Sequence, residues 1–301
     1  MLPTHGRYGY SGWDGRARWA WPGGARLAVY LGVNLEHFAF GEGLGAELAP
    51  GANSGAGPQP DVLNYAWRDY GNRVGAWRLL ELLDELGLPC TVLLNAAMYD
   101  YAPSLVAAHR ARGDEIAGHG RTNSERQSAL GEAAERALIA ESTAAIRRHE
   151  GAAPLGWLSP WIAESRATPD LLAEAGYRYT LNWCADDQPV WHAVRGGGRI
   201  LAVPYPQEVN DIPSIVARRD SVGHFHDMIV DDFDERLRQV RDGVAQVMGI
   251  ALHPYVVGQP YRMRALRRAL SHVAVRRDVV WICRAGDVWR HAAGLPEGSL
   301  V

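Results

Sequence analysis

Strand-like apolar runs and amphipathic helix-like runs alternate along most of this chain, and that alternation limits its fold more than any other feature. Strand-like runs stand at 25–33 (ARLAVYLGV), 89–95, 115–120, 154–160, 177–183, 200–206, 248–254 and 278–284. Helix-like runs fall between them at 74–88, 104–113, 131–151, 168–178, 234–246 and 259–273. The run VGAWRLLELLDELGL places its apolar residues at i, i+3 and i+4 spacing and stops on Gly87, a helix-ending glycine. Such βα alternation predicts a parallel sheet covered by helices. The strand count favours a distorted (β/α) barrel of about seven parallel strands over an open doubly wound sheet. Residues 1–25 are rich in Gly, Trp and Arg without a period and read as an N-terminal arm, and 26–301 reads as one barrel domain. Two long segments, 38–72 and 205–232, interrupt the rhythm, and loops of that length in a compact domain are usually functional.

Composition matters here mainly by what it excludes. The chain holds no lysine, so Schiff-base chemistry, a pyridoxal phosphate anchor and a P-loop are all ruled out. A formal net charge of -3, with arginines scattered among Glu and Asp on helix faces, argues against nucleic acid or an anionic membrane as partner. Cys90, Cys184 and Cys283 sit far apart in apolar surroundings and read as buried small hydrophobes, not metal or disulfide spacings. No apolar run reaches 18 residues and the first residues lack a signal-peptide core, so the expectation is a soluble, cytoplasmic protein.

In a parallel barrel, ligands bind at the carboxyl ends of the strands. Polar residues collect at those ends here. Asn34, Glu36 and His37 follow the first strand; His119, Arg121 and Asn123 follow the third. Trp157 stands in the fourth, Asp187 follows the fifth, and Glu208, Asn210 and Asp211 follow the sixth. His253, Gln259 and Arg262 follow a late strand. One polar residue after a strand is usually a turn or cap, but so many on one rim mark a site.

The pieces NLEHF, EIAGHGRTN, GWLSP with TPDLLAEAGYRY, DDQP, PYPQEVND and LHPYVVGQPYR, spanning about residues 26–290, resemble the polysaccharide deacetylase (NodB-homology) superfamily. The resemblance is closer to its allantoinase-like and cyclic-imidase-like branch. It implies a distorted barrel, a carboxylate base and an imidazole acid. The family's first motif ends in two acidic residues; here the first is Glu36 and the second is replaced by His37. Its His-x-x-x-His metal motif reads His119 to Asn123, so the second histidine is an amide. Its late histidine motif falls on His253.

Expected roles follow. Glu36 and His253 are catalytic, the base for water and the acid for the leaving nitrogen. A Zn²⁺ ion, if bound, is held by His37, His119 and Asn123, and without a metal Arg121 or backbone N–H groups meet the oxyanion. The substrate binders expected are Asn34, Arg121, Trp157, Asp187, Glu208, Asn210, Asp211, Gln259 and Arg262. The expected reaction is hydrolysis of a carbon–nitrogen bond in a small amide, cyclic ureide or imide. The alternatives are a metal-dependent carbohydrate N-deacetylase and an inactive binding protein on the same fold. The partner expected is a small molecule, and the aromatic arm (Tyr8, Tyr10, Trp13, Trp19, Trp21) suggests a homo-oligomer.

Overall fold

The computed structural model describes residues 4–44, 61–241 and 243–300. Much of the expected first loop, residues 45–60, lies outside the described residues. The strands are β1 (Leu27–Leu35), β2 (Thr91–Leu94), β3 (Glu115–Gly118), β4 (Gly156–Trp157), β5 (Tyr179–Thr180), β6 (Val190–Ala193), β7 (Arg199–Ala202), β8 (Gln246–Leu252) and β9 (Trp281–Cys283). The sheet order is β6-β7-β5-β4-β3-β2-β1-β8, with β9 also paired to β1. All pairs are parallel except β6–β7. The fold is α/β: a curled, mostly parallel sheet forming a half-barrel. One bridge, Asn210 to Ala251, brings the chain after β7 back against β8.

The helices are α1 (Val62–Tyr70), α2 (Ala76–Leu86), α3 (Met98–Tyr101), α4 (Pro103–Arg112), α5 (Glu132–Glu150), α6 (Thr168–Glu174), α7 (Val222–Gln239), α8 (Pro254–Val257), α9 (Pro260–Ala274) and α10 (Ala285–Ala293). No helix among the described residues is long and apolar enough to cross a membrane.

Several boundaries differ from expectation. β6 is an added antiparallel edge strand. The helix expected at 234–246 begins twelve residues earlier, at Val222, inside the expected second loop. The local reason is an N-cap, Ser221, whose hydroxyl accepts the His224 N–H, followed by buried Phe225, Ile229 and Phe233 at i, i+4 spacing. α1 likewise occupies the expected first loop, with Asp61 capping the Asn64 N–H. Cys90 and Cys283 are buried as expected, but Cys184 is exposed.

Side-chain parity places the site. In β1, Leu27, Val29, Leu31, Val33 and Leu35 face the helices, where they join one apolar cluster. Ala28 and Tyr30 face the barrel interior with Leu93, Ala117, Tyr179, Leu201 and Val247. Alternation with period two puts Asn34, and then Glu36, on the interior face at the top of β1. The same parity in β3 (Ala117 inward, Ile116 outward) aims His119 inward. In β8, Ala251 points in and Leu252 out, so His253 points in. His37, of opposite parity to Glu36, is aimed away.

The arm packs largely on its own barrel. Trp21 is buried, Trp19 packs beside it, and Tyr8 stacks on His192 at 5.0 Å. The Arg7 carbonyl accepts the Ala193 N–H of β6 at 2.8 Å, and the Arg7 guanidinium grips both oxygens of Asp170. Tyr10 and Trp13 remain exposed.

A π-helical turn, Gly71–Gly75, links α1 to α2 and lies against the segment that carries His253. The approach leaves no room for side chains. A Cβ on Gly75 would collide with the Pro254 carbonyl, and one on Gly258 with Gly75 itself. A Cβ on Gly71 would lie 2.6 Å from the Tyr255 nitrogen. Gly75→Ala is expected to destabilise the fold by about 1–3 kcal/mol, the usual cost of overpacking. A urea midpoint lowered at unchanged slope is the expected result, and an unchanged midpoint contradicts this packing account.

Candidate active site

Three interior-facing groups meet at the top of the barrel. Nε2 of His119 lies 3.4 Å from Oε1 of Glu36, and Nε2 of His253 lies 3.6 Å from the same oxygen. Glu36 and His253 are each 7% exposed and His119 is 2% exposed, so all three are nearly out of water. Each imidazole is oriented by its other nitrogen. Nδ1 of His119 donates to the Leu158 carbonyl at 2.7 Å, and Nδ1 of His253 donates to Oδ1 of Asp211 at 2.6 Å. The second Asp211 oxygen accepts the His253 backbone N–H at 2.7 Å. The bridge between Asn210 and Ala251 is what sets Asp211 opposite His253.

The charges follow from this packing. Burial alone would raise Glu36, but His253, the His119 hydrogen bond and Arg68 outweigh it and hold the carboxyl below its ordinary value. Burial alone would lower His253, but the carboxylates of Asp211 and Glu36 outweigh it and hold the imidazole up. Burial raises Asp211, with His253 opposing. The packing thus favours the charged form of both Glu36 and His253, beside open acceptors: Oε2 of Glu36 is buried with no protein partner, as is Oδ1 of Asn34.

These groups line a cavity of about 170 Å³. Asn34, Asn123 and Asn210 supply its polar wall; Phe38, Leu158, Trp161, Ile162 and Tyr255 supply its apolar wall. Asn34 Nδ2 donates to the Tyr205 hydroxyl at 2.9 Å and Asn123 Oδ1 accepts from Asn95 Nδ2 at 3.1 Å, so both amides are fixed. Trp161 and Ile162 have φ of 64° and 53°, two successive non-glycine residues in the left-handed region. Strain of this kind persists where the surroundings impose it, often in the walls of sites. Here the Trp161 indole donates to the Asn123 carbonyl at 3.0 Å.

Not every expected residue arrives at this cavity. Asn34, Glu36, His119, Asn123, Asn210 and His253 line it, and Asp211 reaches it through His253. His37 is not among the residues lining it; with Tyr65, Asp69 and Tyr101 it borders a small adjoining void that Glu36, Phe38 and Arg68 also line. Arg121 lies outside the cavity: it pairs with Glu125 at 2.8 Å and Glu141 at 2.7 Å. Trp157 is fully buried in a core cluster with Leu138 and Tyr177, not in the cavity wall. Asp187 and Glu208 line a neighbouring cavity, where Asp187 pairs with Arg236 at 2.6 Å. Arg262 donates to the Val256 carbonyl at 3.0 Å and ties α9 to α8, and Gln259 stands at the N-cap of α9. Residues that the sequence reading missed are Phe38, Tyr205, Tyr255 and, next to the cavity on α1, Arg68. Tyr205, in PYPQEVND, had a visible signal, an aromatic at a strand end; Arg68 had none.

The resemblance also implies a divalent metal. Ligands of one Zn²⁺ ion lie about 2.0–2.3 Å from it, which brings their donor atoms close together. Glu36, His119 and His253 do not gather their donor atoms within 4.8 Å of one another, and His37 is turned away. The donor set at the cavity therefore does not fit one tightly held zinc ion. Among the described residues the group that does gather is Cys90, His109 and Asp114, at the amino ends of β2 and β3. There burial and Asp114 push the Cys90 thiol well up, and Arg112 Nε already sits 2.9 Å from Asp114, so the thiolate a metal needs is disfavoured. His109 Nδ1 and Asp114 Oδ2, 2.8 Å apart, form a buried clasp between α4 and the sheet.

Comparisons with known proteins agree with this architecture. The family described as "Polysaccharide deacetylase" matches residues 64–180. A putative polysaccharide deacetylase of Schizosaccharomyces pombe is 26% identical over 232 residues, 71% of each chain. The crystal structure of Puue allantoinase superposes with a TM-score of 0.82 at 26% identity, covering 92% of this chain and 93% of that one. A probable polysaccharide deacetylase from Pseudomonas aeruginosa PAO1 gives a TM-score of 0.79 at 28% identity, covering 90% and 92%. The family match over 64–180, the sequence relatives and the curled parallel sheet together support the polysaccharide deacetylase (NodB-homology) superfamily, and the chain is a hydrolase of carbon–nitrogen bonds other than peptide bonds.

Proposed function

We propose that the chain hydrolyses a small cyclic amide, of ureide or imide type, by carboxylate-activated water. The observation that carries this reading is the free buried oxygen Oε2 of Glu36, beside two imidazoles that hold the carboxyl ionised. Water gives its proton to Oε2, its oxygen bonds to the carbonyl carbon, and the C=O electron pair moves onto oxygen. When the C=O bond re-forms, the C–N bond breaks and the leaving nitrogen takes a proton from Nε2 of His253. The proton taken up by Glu36 is then returned to Nε2 of His253, which lies 3.6 Å from the other oxygen, Oε1, of the same carboxyl, and both groups are restored. Asp211 holds the imidazole in the tautomer this transfer needs. Asn34 Oδ1, an unpartnered buried acceptor, matches an N–H donor of an amide ring and leaves Oε2 of Glu36 to the water. A cavity of about 170 Å³ suits one small ring better than a sugar chain, and the likeness to an allantoinase supports the same class.

A second reading, an N-deacetylase of amino sugars, is favoured by the names of the deacetylase relatives. A screen of allantoin, hydantoin, succinimide and N-acetylglucosamine oligomers separates the two. Ring opening that survives a chelator supports the first; chelator-sensitive release of acetate from the oligomers supports the second. We also propose a homo-oligomer in which exposed Tyr10 and Trp13 of the arm are covered by a neighbouring copy. Sedimentation at micromolar concentration that shows monomer alone refutes it.

Glu36→Gln removes the base and is expected to lower turnover by about 10²–10⁴-fold; near-normal turnover rejects the mechanism. The pH profile of kcat/KM is expected to be a bell. Its acid limb lies below 4.5, because the folded site lowers Glu36, and its alkaline limb above 6.5, because the site raises His253. Asp211→Asn takes away a negative charge that raises His253, so the imidazole midpoint, followed by NMR, should move down. A midpoint that stays put excludes Asp211 as the partner that sustains the imidazolium.

A further inference from the structure

The geometry points to Arg68 as the cation that meets the oxyanion of the reaction, in the place that sequence reasoning gave to Arg121. The inference rests on the hydrolytic reading above. Arg68 stands on α1, four residues after Asn64, and its Nε donates to Asn64 Oδ1 at 3.1 Å. Its guanidinium carbon lies 3.8 Å from the centre of the Phe38 ring, 5.7 Å from that of Tyr255 and 5.8 Å from that of Trp161. All three rings wall the substrate cavity. Among the described residues no carboxylate pairs with Arg68, and its Nη1 is buried with no hydrogen-bond acceptor. Arg68 stands behind the cavity wall and does not line the cavity itself; the small adjoining void beside His37 touches both Arg68 and Glu36, so the cation and the base share a border there.

A buried guanidinium donor without an acceptor is costly unless something arrives to satisfy it. The reaction supplies that acceptor. As Glu36 takes the proton of water, negative charge leaves the carboxylate and appears on the carbonyl oxygen, a short distance away. A cation caged by aromatic rings beside the carboxylate is already in place when that charge moves, and excluded water strengthens its effect. Arg121 has no such freedom, being held by Glu125 and Glu141 outside the cavity.

The first test uses a tetrahedral anion and needs no substrate. In the Glu36→Gln protein, where the neighbouring negative charge is gone, methylphosphonate is titrated by calorimetry with and without Arg68→Met. Affinity about tenfold weaker in the double variant is expected; equal affinity, or no binding to Glu36→Gln alone, overturns the proposal. If Arg68→Met unfolds, Arg68→Lys and Arg68→Gln are titrated in the Glu36→Gln background instead: an affinity for Arg68→Lys between that of Glu36→Gln alone and that of Glu36→Gln with Arg68→Gln is expected, and affinity equal to the latter overturns the proposal. The second test uses whichever substrate the wild-type protein turns over. Arg68→Met is expected to lower kcat by about 100-fold with little change in KM. Arg68→Ala should recover part of the loss when guanidinium chloride is added at millimolar concentration, which a packing role would not produce. A loss confined to KM, or no rescue, overturns the assignment. If no substrate is turned over by the wild-type protein, the hydrolytic reading falls, while the anion titration still decides the role of Arg68.

Discussion

The site depends on keeping one carboxylate charged where water is scarce. Glu36 is nearly fully buried at the top of the barrel, and such a carboxyl would ordinarily become neutral. Here His119, His253 and Arg68 reverse that tendency, and Asp211 in turn sustains His253. Each partner is delivered by a different element: β3, β8, α1 and the segment that bridges to β8. The barrel therefore serves less as a container than as a means of bringing four strand and helix ends to one ion.

Much of this arrangement was legible in the sequence, and the reasons are physical. Apolar runs of strand and helix period alternate cleanly, so the α/β barrel follows from periodicity. The cluster of Glu36, His119 and His253 follows from strand ends, and the inward parity of all three can be counted along β1, β3 and β8. The same count would have turned His37 away, because it is one residue from Glu36 and side chains alternate. Trp157 misled for a related reason: a tryptophan near a strand end looks like a wall for a substrate, but its indole is spent on Gln127 and Ser159 in the core.

What stayed hidden was set by long-range pairing. Arg121 follows the third strand beside His119, yet Glu141, twenty residues on, helps draw it to the surface. Asp187 is likewise claimed by Arg236 from α7. Arg68 was invisible because nothing in an irregular, Gly- and Pro-rich stretch tells which residue will face the barrel mouth. Its helix sits where a loop was expected, and only the folded chain brings it under Phe38, Trp161 and Tyr255. The loss of the second motif histidine, by contrast, was legible, and the separation of the remaining donors agrees with it: among the described residues they do not gather into a closed metal shell.

The glycines at the π-helical turn carry a further implication. Gly71, Gly75 and Gly258 bring the backbone after Arg68 into direct contact with the backbone after His253, with no side chain between to slide or reorient. His253 and Arg68 therefore stand on segments joined backbone to backbone, so a displacement of one segment is passed to the other with no side chain between to absorb it.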